Sequence, residues 1–185
     1  MTKLKELLKK AYKPKSPTDY LIYTIVIAVG IILDQLTKWL SIKYLMTVGT
    51  VPIIKNVLHL TYVENTGAAF GMLKDHRWVF IIVSTVAILA FIAYLYLGHA
   101  DSALSGIAFA MIISGGIGNM IDRIALGYVV DFIDFRLINF AVFNGADSFV
   151  CVGAGLLILA LILEIAKESK KAKNNANQNE NTKTQ

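Results

Sequence analysis

The chain has 185 residues, 56% of them hydrophobic, and a formal net charge of +5. A mean hydropathy of +0.59 is too apolar for an ordinary soluble core and points to the bilayer as solvent. The basic balance does not imply a nucleic-acid partner, because the lysines gather at the two ends (Lys3, Lys5, Lys9, Lys10, Lys13 and Lys15, then Lys167, Lys170, Lys171, Lys173 and Lys183), a pattern that orients a membrane protein.

Residues 1–19 form a basic segment in which Leu4, Leu7, Leu8 and Ala11 share one helical face, suited to an anionic leaflet or to a solvated tail. Tyr20 to Ile42 reads as the first membrane span; no small-x-small cleavage site follows its apolar run, which argues against a removable leader. In the next segment, alternation from Val57 to Val63 predicts a short strand, preceded by Pro52 and closed by a turn at Asn65–Gly67. Trp78–Leu97 and Ala103–Ile121 are uncharged second and third spans, the latter rich in small residues that permit close helix approach. Tyr128–Asp134 is too apolar for a free loop and is expected at the membrane interface. Ser148–Leu163 is the fourth span, and Cys151, the only cysteine, is expected to be buried in it. The fold expected is thus an α-helical integral membrane protein of four transmembrane helices with a small extracytoplasmic β-containing segment, its membrane domain covering 20–166. Residues 167–185 have no apolar period and are expected to be a disordered polar tail. An even number of spans with basic ends puts both termini in the cytoplasm, so residues 43–77 and 122–147 face outward.

Charges beside hydrocarbon are costly, so Asp34, Asp122, Arg123, Asp131 and Asp147, all near span ends, are expected to face a polar cavity or one another. Asp131 and Asp147 lie at the two ends of one outward segment, and closure of the helix hairpin brings such groups together. Two carboxylates in one site tend to share a proton; the ionised partner activates water while the protonated one polarises a carbonyl. Asn119, Asn144 and Arg123 are suited to holding substrate carbonyls or orienting the carboxylates. An ion pair between Arg123 and one aspartate is the competing structural explanation. His59, His76 and His99 show no zinc spacing, and Ser84 lacks a nucleophile elbow. A carboxylate magnesium site and a transporter remain as alternatives.

In chain order, Asp34-Gln35-Leu36-Thr37-Lys38, Asn65-Thr66-Gly67-Ala68-Ala69-Phe70, Gly118-Asn119-Met120-Ile121-Asp122-Arg123, Val129-Val130-Asp131-Phe132-Ile133-Asp134 and Phe143-Asn144-Gly145-Ala146-Asp147-Ser148 resemble the motif boxes of the bacterial lipoprotein signal peptidases, signal peptidase II. The resemblance implies an aspartyl endopeptidase of the bacterial cytoplasmic membrane. Such an enzyme removes the signal peptide of a prolipoprotein on the N-terminal side of its diacylglyceryl-modified cysteine. It further implies Asp131 and Asp147 as the catalytic pair. Asp34, Asn65, Asn119, Asp122, Arg123 and Asn144 take supporting places, Asp122 ordering the site rather than transferring protons. No metal or other cofactor is implied. The implied partners are lipidated prolipoproteins, membrane lipids and globomycin-type cyclic peptides, acting on a monomer with its site near the outer face. The basic stretch before Tyr20 is longer than the pattern usually carries, and Gly145 stands where a branched aliphatic is common.

Overall fold

The computed structural model describes residues 16–67, 77–100, 102–138 and 140–183. Residues 1–15 of the expected basic segment 1–19 and the Ala68-Ala69-Phe70 part of the second motif lie outside them. Helix α1, Pro17–Leu45, starts three residues before the expected span because Ser16 and Asp19 form a capping box, with Pro17 in the first turn where its missing N–H costs nothing. Its buried positions, Tyr23, Gly30, Asp34, Lys38, Ser41 and Leu45, recur every three to seven residues and make one inward stripe that turns polar toward the C-terminal half.

Strands β1 (Thr50–Ile54) and β2 (Leu58–Asn65) form an antiparallel hairpin, and β3 (Val129–Phe135) completes a sheet of order β1-β2-β3. The sequence signalled β2 alone. Pro52 is tolerated in β1 because that strand is an edge. β3 has four buried residues in a row, Val129 to Phe132, so the period-two pattern of a half-exposed strand is erased.

Helices α2 (Arg77–Tyr96), α3 (Ala103–Ala125) and α4 (Gly145–Lys183) complete the molecule. Among the described residues four helices are long and apolar enough to cross a membrane. Half of the apolar window of α3 is buried, against 11–17% for the other three, so α3 is the central helix and the others surround it. Small residues explain this position. A Cβ at Gly106 would strike the Tyr23 ring, and one at Gly115 would strike the Ala146 carbonyl and lie 2.8 Å from Val150 Cγ2. The apolar core, Tyr23, Ile88, Leu95, Ala100, Ala110 and Ile113, lies toward one end of the bundle, and the buried charged residues Asp34, Lys38, Asp122 and Asp131 lie toward the other. Large apolar side chains such as Leu21, Ile32, Ile82, Val86, Ile158 and Leu161 stay exposed, as lipid-facing surfaces require.

Two differences from the sequence reading are physical. The segment beyond Ser169, expected to be disordered, continues α4 as helix to Lys183. Once a span has formed, nucleation is already met, and each further residue costs only its own propensity, small for Lys, Ala, Gln and Glu and a few tenths of a kcal/mol more for the interspersed asparagines. Cys151 is exposed rather than buried, because it sits on the side of α4 that borders an open cavity.

Candidate active site

The polar ends of three helices and two strands converge on one place. α1 brings Asp34, Gln35 and Lys38; the last turns of α3 bring Asn119, Asp122 and Arg123; β2 ends on Asn65; β3 contributes Asp131; and α4 opens with Asp147 just after Asn144. The turn from α3 into β3 depends on Gly127 at φ +90°, whose N–H, like that of Leu126, returns to the Asp122 carbonyl. Asp122 then holds the strand directly, its Oδ2 accepting from Val130 N at 3.0 Å.

Asp131 is 2% exposed and accepts two amide hydrogen bonds, from Asn65 Nδ2 to Oδ2 at 2.9 Å and from Asn144 Nδ2 to Oδ1 at 2.7 Å. Asp147 accepts from Asn119 Nδ2 at Oδ1, 2.7 Å, and from Asn144 N at Oδ2, 3.2 Å. In return Asn144 Oδ1 accepts from Asp147 N at 3.0 Å, so residue 144 caps α4 and residue 147 closes a reciprocal capping pair. Asn144, fully buried, is therefore bonded to both aspartates. Burial pushes the Asp131 carboxyl up to about 6; the Asp147 charge adds to this, while the hydrogen bonds from Asn65 and Asn144 and the Lys38 charge oppose it.

Both aspartates face a cavity of about 620 Å³ whose walls include Asn65, Asn119, Arg123, Phe80, Phe140 and Phe143. Arg123 is laid over the Phe80 ring at 4.9 Å and donates to the carbonyls of Asn119 and Gly67, both at 3.3 Å. It pairs with no aspartate among the described residues, so the competing ion-pair explanation does not hold for it. The bonds to Asn119 and Gly67 are the two side-chain hydrogen bonds it makes among the described residues, and its side chain lines the cavity. Phe143 stacks on Phe135 at 5.9 Å and meets Phe140 edge-on at 5.8 Å, forming part of an apolar cover, whereas Leu137 and Ile138 point outward at 69% and 68% exposure.

The eight expected residues are thus brought into one network, and Asp134 is not part of it. That carboxylate is held by Arg136 at 2.8 Å and Thr61 at 2.7 Å in a separate polar group on the sheet. Sequence reasoning overlooked Lys38 and Gln35. Lys38 pairs with Asp34 at 2.9 Å and Asp122 at 3.0 Å, and Gln35 Nε2 reaches Asp34, Asp122 and the Gly118 carbonyl at 3.0–3.2 Å. The signal was present: a lysine four residues after an aspartate inside an apolar helix needs a buried partner.

A family model described as "Signal peptidase (SPase) II" matches residues 26–163. The chain belongs to the signal peptidase II family. It is a peptidase of the membrane, and the expected recognition and fold class hold. Among its relatives, the lipoprotein signal peptidase of Caldanaerobacter subterraneus subsp. tengcongensis is 49% identical over 76% of this chain and 95% of its own length. That of Clostridioides difficile is 46% identical over 77% and 95%. Two solved bacterial membrane enzymes share the fold. One, at 28% identity, superposes with a TM-score of 0.73 over 84% of this chain and 94% of its own; the other, at 32%, gives 0.65 over 82% and 96%.

Proposed function

We propose that this chain cleaves diacylglyceryl-modified prolipoproteins on the N-terminal side of the lipidated cysteine, with Asp131 and Asp147 as the catalytic pair. The observation that carries this reading is a single buried residue, Asn144, that bonds both carboxylates at the wall of one cavity, Asp131 through its side-chain amide and Asp147 through its backbone N–H. A pair so close in environment titrates as a unit and holds one proton near neutral pH, in keeping with the raised Asp131. The ionised carboxylate takes a proton from water as its oxygen attacks the scissile carbonyl. The protonated one donates to the carbonyl oxygen and, on collapse of the tetrahedral intermediate, a proton passes to the leaving nitrogen. Arg123, Asn65 and Asn119 border the same cavity and supply donors for substrate carbonyls.

Membrane lipids deliver the substrate. Its signal helix and acyl chains confine it to the bilayer, and the scissile bond arrives at the interfacial end of the helices, where the polar residues gather. The lysine-rich ends favour cytoplasmic termini with the site at the outer face. The same cavity suits a globomycin-type cyclic peptide, and the enzyme acts as a monomer, since one chain supplies the whole network. A transporter reading is disfavoured because the ionisable groups lie at one end of the bundle and not at its midplane.

The test is turnover of a diacylated prolipoprotein, read by mass analysis of the products. Asp131→Asn and Asp147→Asn each lose activity by about 10²–10⁴ and their defects are far from additive, since the two groups act together. Asp134→Asn, held apart by Arg136, retains appreciable turnover. Near-normal cleavage by a folded Asp131→Asn or Asp147→Asn protein defeats the assignment.

A further inference from the structure

The dyad leaves unexplained a buried ammonium. Lys38 is 2% exposed, and all three of its donors are used, toward Asp34 Oδ2 at 2.9 Å, Asp122 Oδ2 at 3.0 Å and Asn119 Oδ1 at 2.8 Å. The third bond has a geometric consequence. Asn119 Oδ1 also accepts from Asn144 Nδ2 at 3.1 Å, so two donors hold this oxygen and only Nδ2 is left to face Asp147, where it donates at 2.7 Å. A flipped Asn119 would set its NH₂ against an ammonium and a second NH₂, and would present an oxygen to the Asp147 carboxylate. Both arrangements are repulsive.

We propose that Lys38 is a positioning residue for peptide-bond hydrolysis, locking the Asn119 amide so that it donates to Asp147 and supplying the positive charge under which the aspartate pair shares its proton. This rests on the reading of Asp131 and Asp147 as the catalytic pair. The charged groups around the site are Asp34 on the same helix, Asp122 and Arg123 on α3, Asp131 on β3 and Asp147 on α4. The Lys38 charge acts on Asp131 in the direction of the ionised form. A merely structural role, clamping α1 to α3 through two ion pairs, is the rival explanation.

The two roles separate in the pH profile. Lys38→Met keeps the length of the side chain and removes the charge and the donor. Measured on the detergent-solubilised full chain with a diacylated prolipoprotein, it lowers kcat by about 10²-fold, the scale of misplacing a reacting group, and leaves KM within a few-fold. Loss of a cation moves both limbs of the pH–rate bell to higher pH, by about one unit for a charge roughly 10 Å away at an effective dielectric near 20. A clamp alone lowers the bell without moving it.

Because Lys38→Met leaves two buried carboxylates unpaired, the double variant Lys38→Met/Asp34→Asn is the companion. One positive and one negative charge are removed together, so the limbs return toward those of the unaltered enzyme while the kcat defect persists, Asn119 Oδ1 still lacking its ammonium donor. A folded single or double variant with the original kcat overturns the proposal, as does a single variant whose reduced bell is unmoved, or a double variant that regains full kcat. If Asp131→Asn and Asp147→Asn remain active, the dyad reading fails first; if they are inactive and Lys38→Met is normal, only this inference falls.

Discussion

Gly115→Ala adds one methyl group at the contact between α3 and α4, close to the start of the helix that carries Asp147. The new Cβ would run into the Ala146 carbonyl oxygen, lie 2.8 Å from Val150 Cγ2 and 3.1 Å from the Ala146 carbonyl carbon. Two of these three neighbours are backbone atoms, which cannot rotate away, so the helices themselves must part by roughly 1 Å, a displacement that misplaces a reacting group enough to cost about 10²-fold in rate. Overpacking of a close interface costs about 1–3 kcal/mol in stability, offset in part by up to about 1 kcal/mol from the better helix propensity of alanine. The control is Gly155→Ala on the partner helix α4, where an added Cβ meets nothing within 4 Å. The assay is kcat on a diacylated prolipoprotein together with thermal unfolding in detergent. Gly115→Ala should lose kcat by about 10–10²-fold while remaining folded, and Gly155→Ala should match or exceed the unaltered chain in stability with unchanged kcat. Equal kcat in the two variants would refute the claim that the α3–α4 separation sets the position of Asp147.

Three further outcomes are expected. Asp131 has its folded value raised from 3.8 to about 6 by burial, so the stability it contributes is full below about 3.8 and is lost as pH rises through about 6; unfolding midpoints followed from pH 4 to 7 should fall less steeply in Asp131→Asn than in the unaltered chain, and parallel curves would contradict the assignment. EDTA should leave turnover unchanged, since all four carboxylate oxygens of the pair accept N–H donors from Asn65, Asn119 or Asn144; activity lost to EDTA and restored by magnesium or zinc would move the site to the metal-dependent class. In a Cys151→Ala background, single cysteines at the exposed positions Lys55 and Leu137 should react with an impermeant thiol reagent added to intact cells, and labelling only after permeabilisation would invert the topology.

The spans were legible because hydrocarbon imposes a length and a composition that no tertiary contact can override. Their ends were less so: α1 begins at Pro17 and α4 at Gly145, positions fixed by the Ser16–Asp19 and Asn144–Asp147 capping pairs rather than by hydropathy. The sheet was half visible. β2 alternates in residue type although most of its residues are half-buried, whereas β3, paired beside it with Val129 to Phe132 all buried, carries no period to read. β1, with Pro52 inside it, reads locally as a turn and becomes a strand only by pairing with β2.

The site shows the same division between residue type and position. A carboxylate beside hydrocarbon stands out in the sequence, since its desolvation must be met by something, and it is the coincidence of Asp34, Asp122, Asp131 and Asp147 near span ends that singles them out. Which charges neutralise which could not. Lys38 rather than Arg123 satisfies Asp34 and Asp122, because the i,i+4 step along α1 and the approach of α3 at Gly118 place one ammonium between the two carboxylates, with Asp34 Cγ only 3.1 Å from where a Gly118 Cβ would stand. That leaves the Arg123 guanidinium over Phe80 at the cavity wall. Arg123 thus stands at the cavity wall, and the lysine hidden in an apolar helix is the cation that neutralises the buried aspartates Asp34 and Asp122.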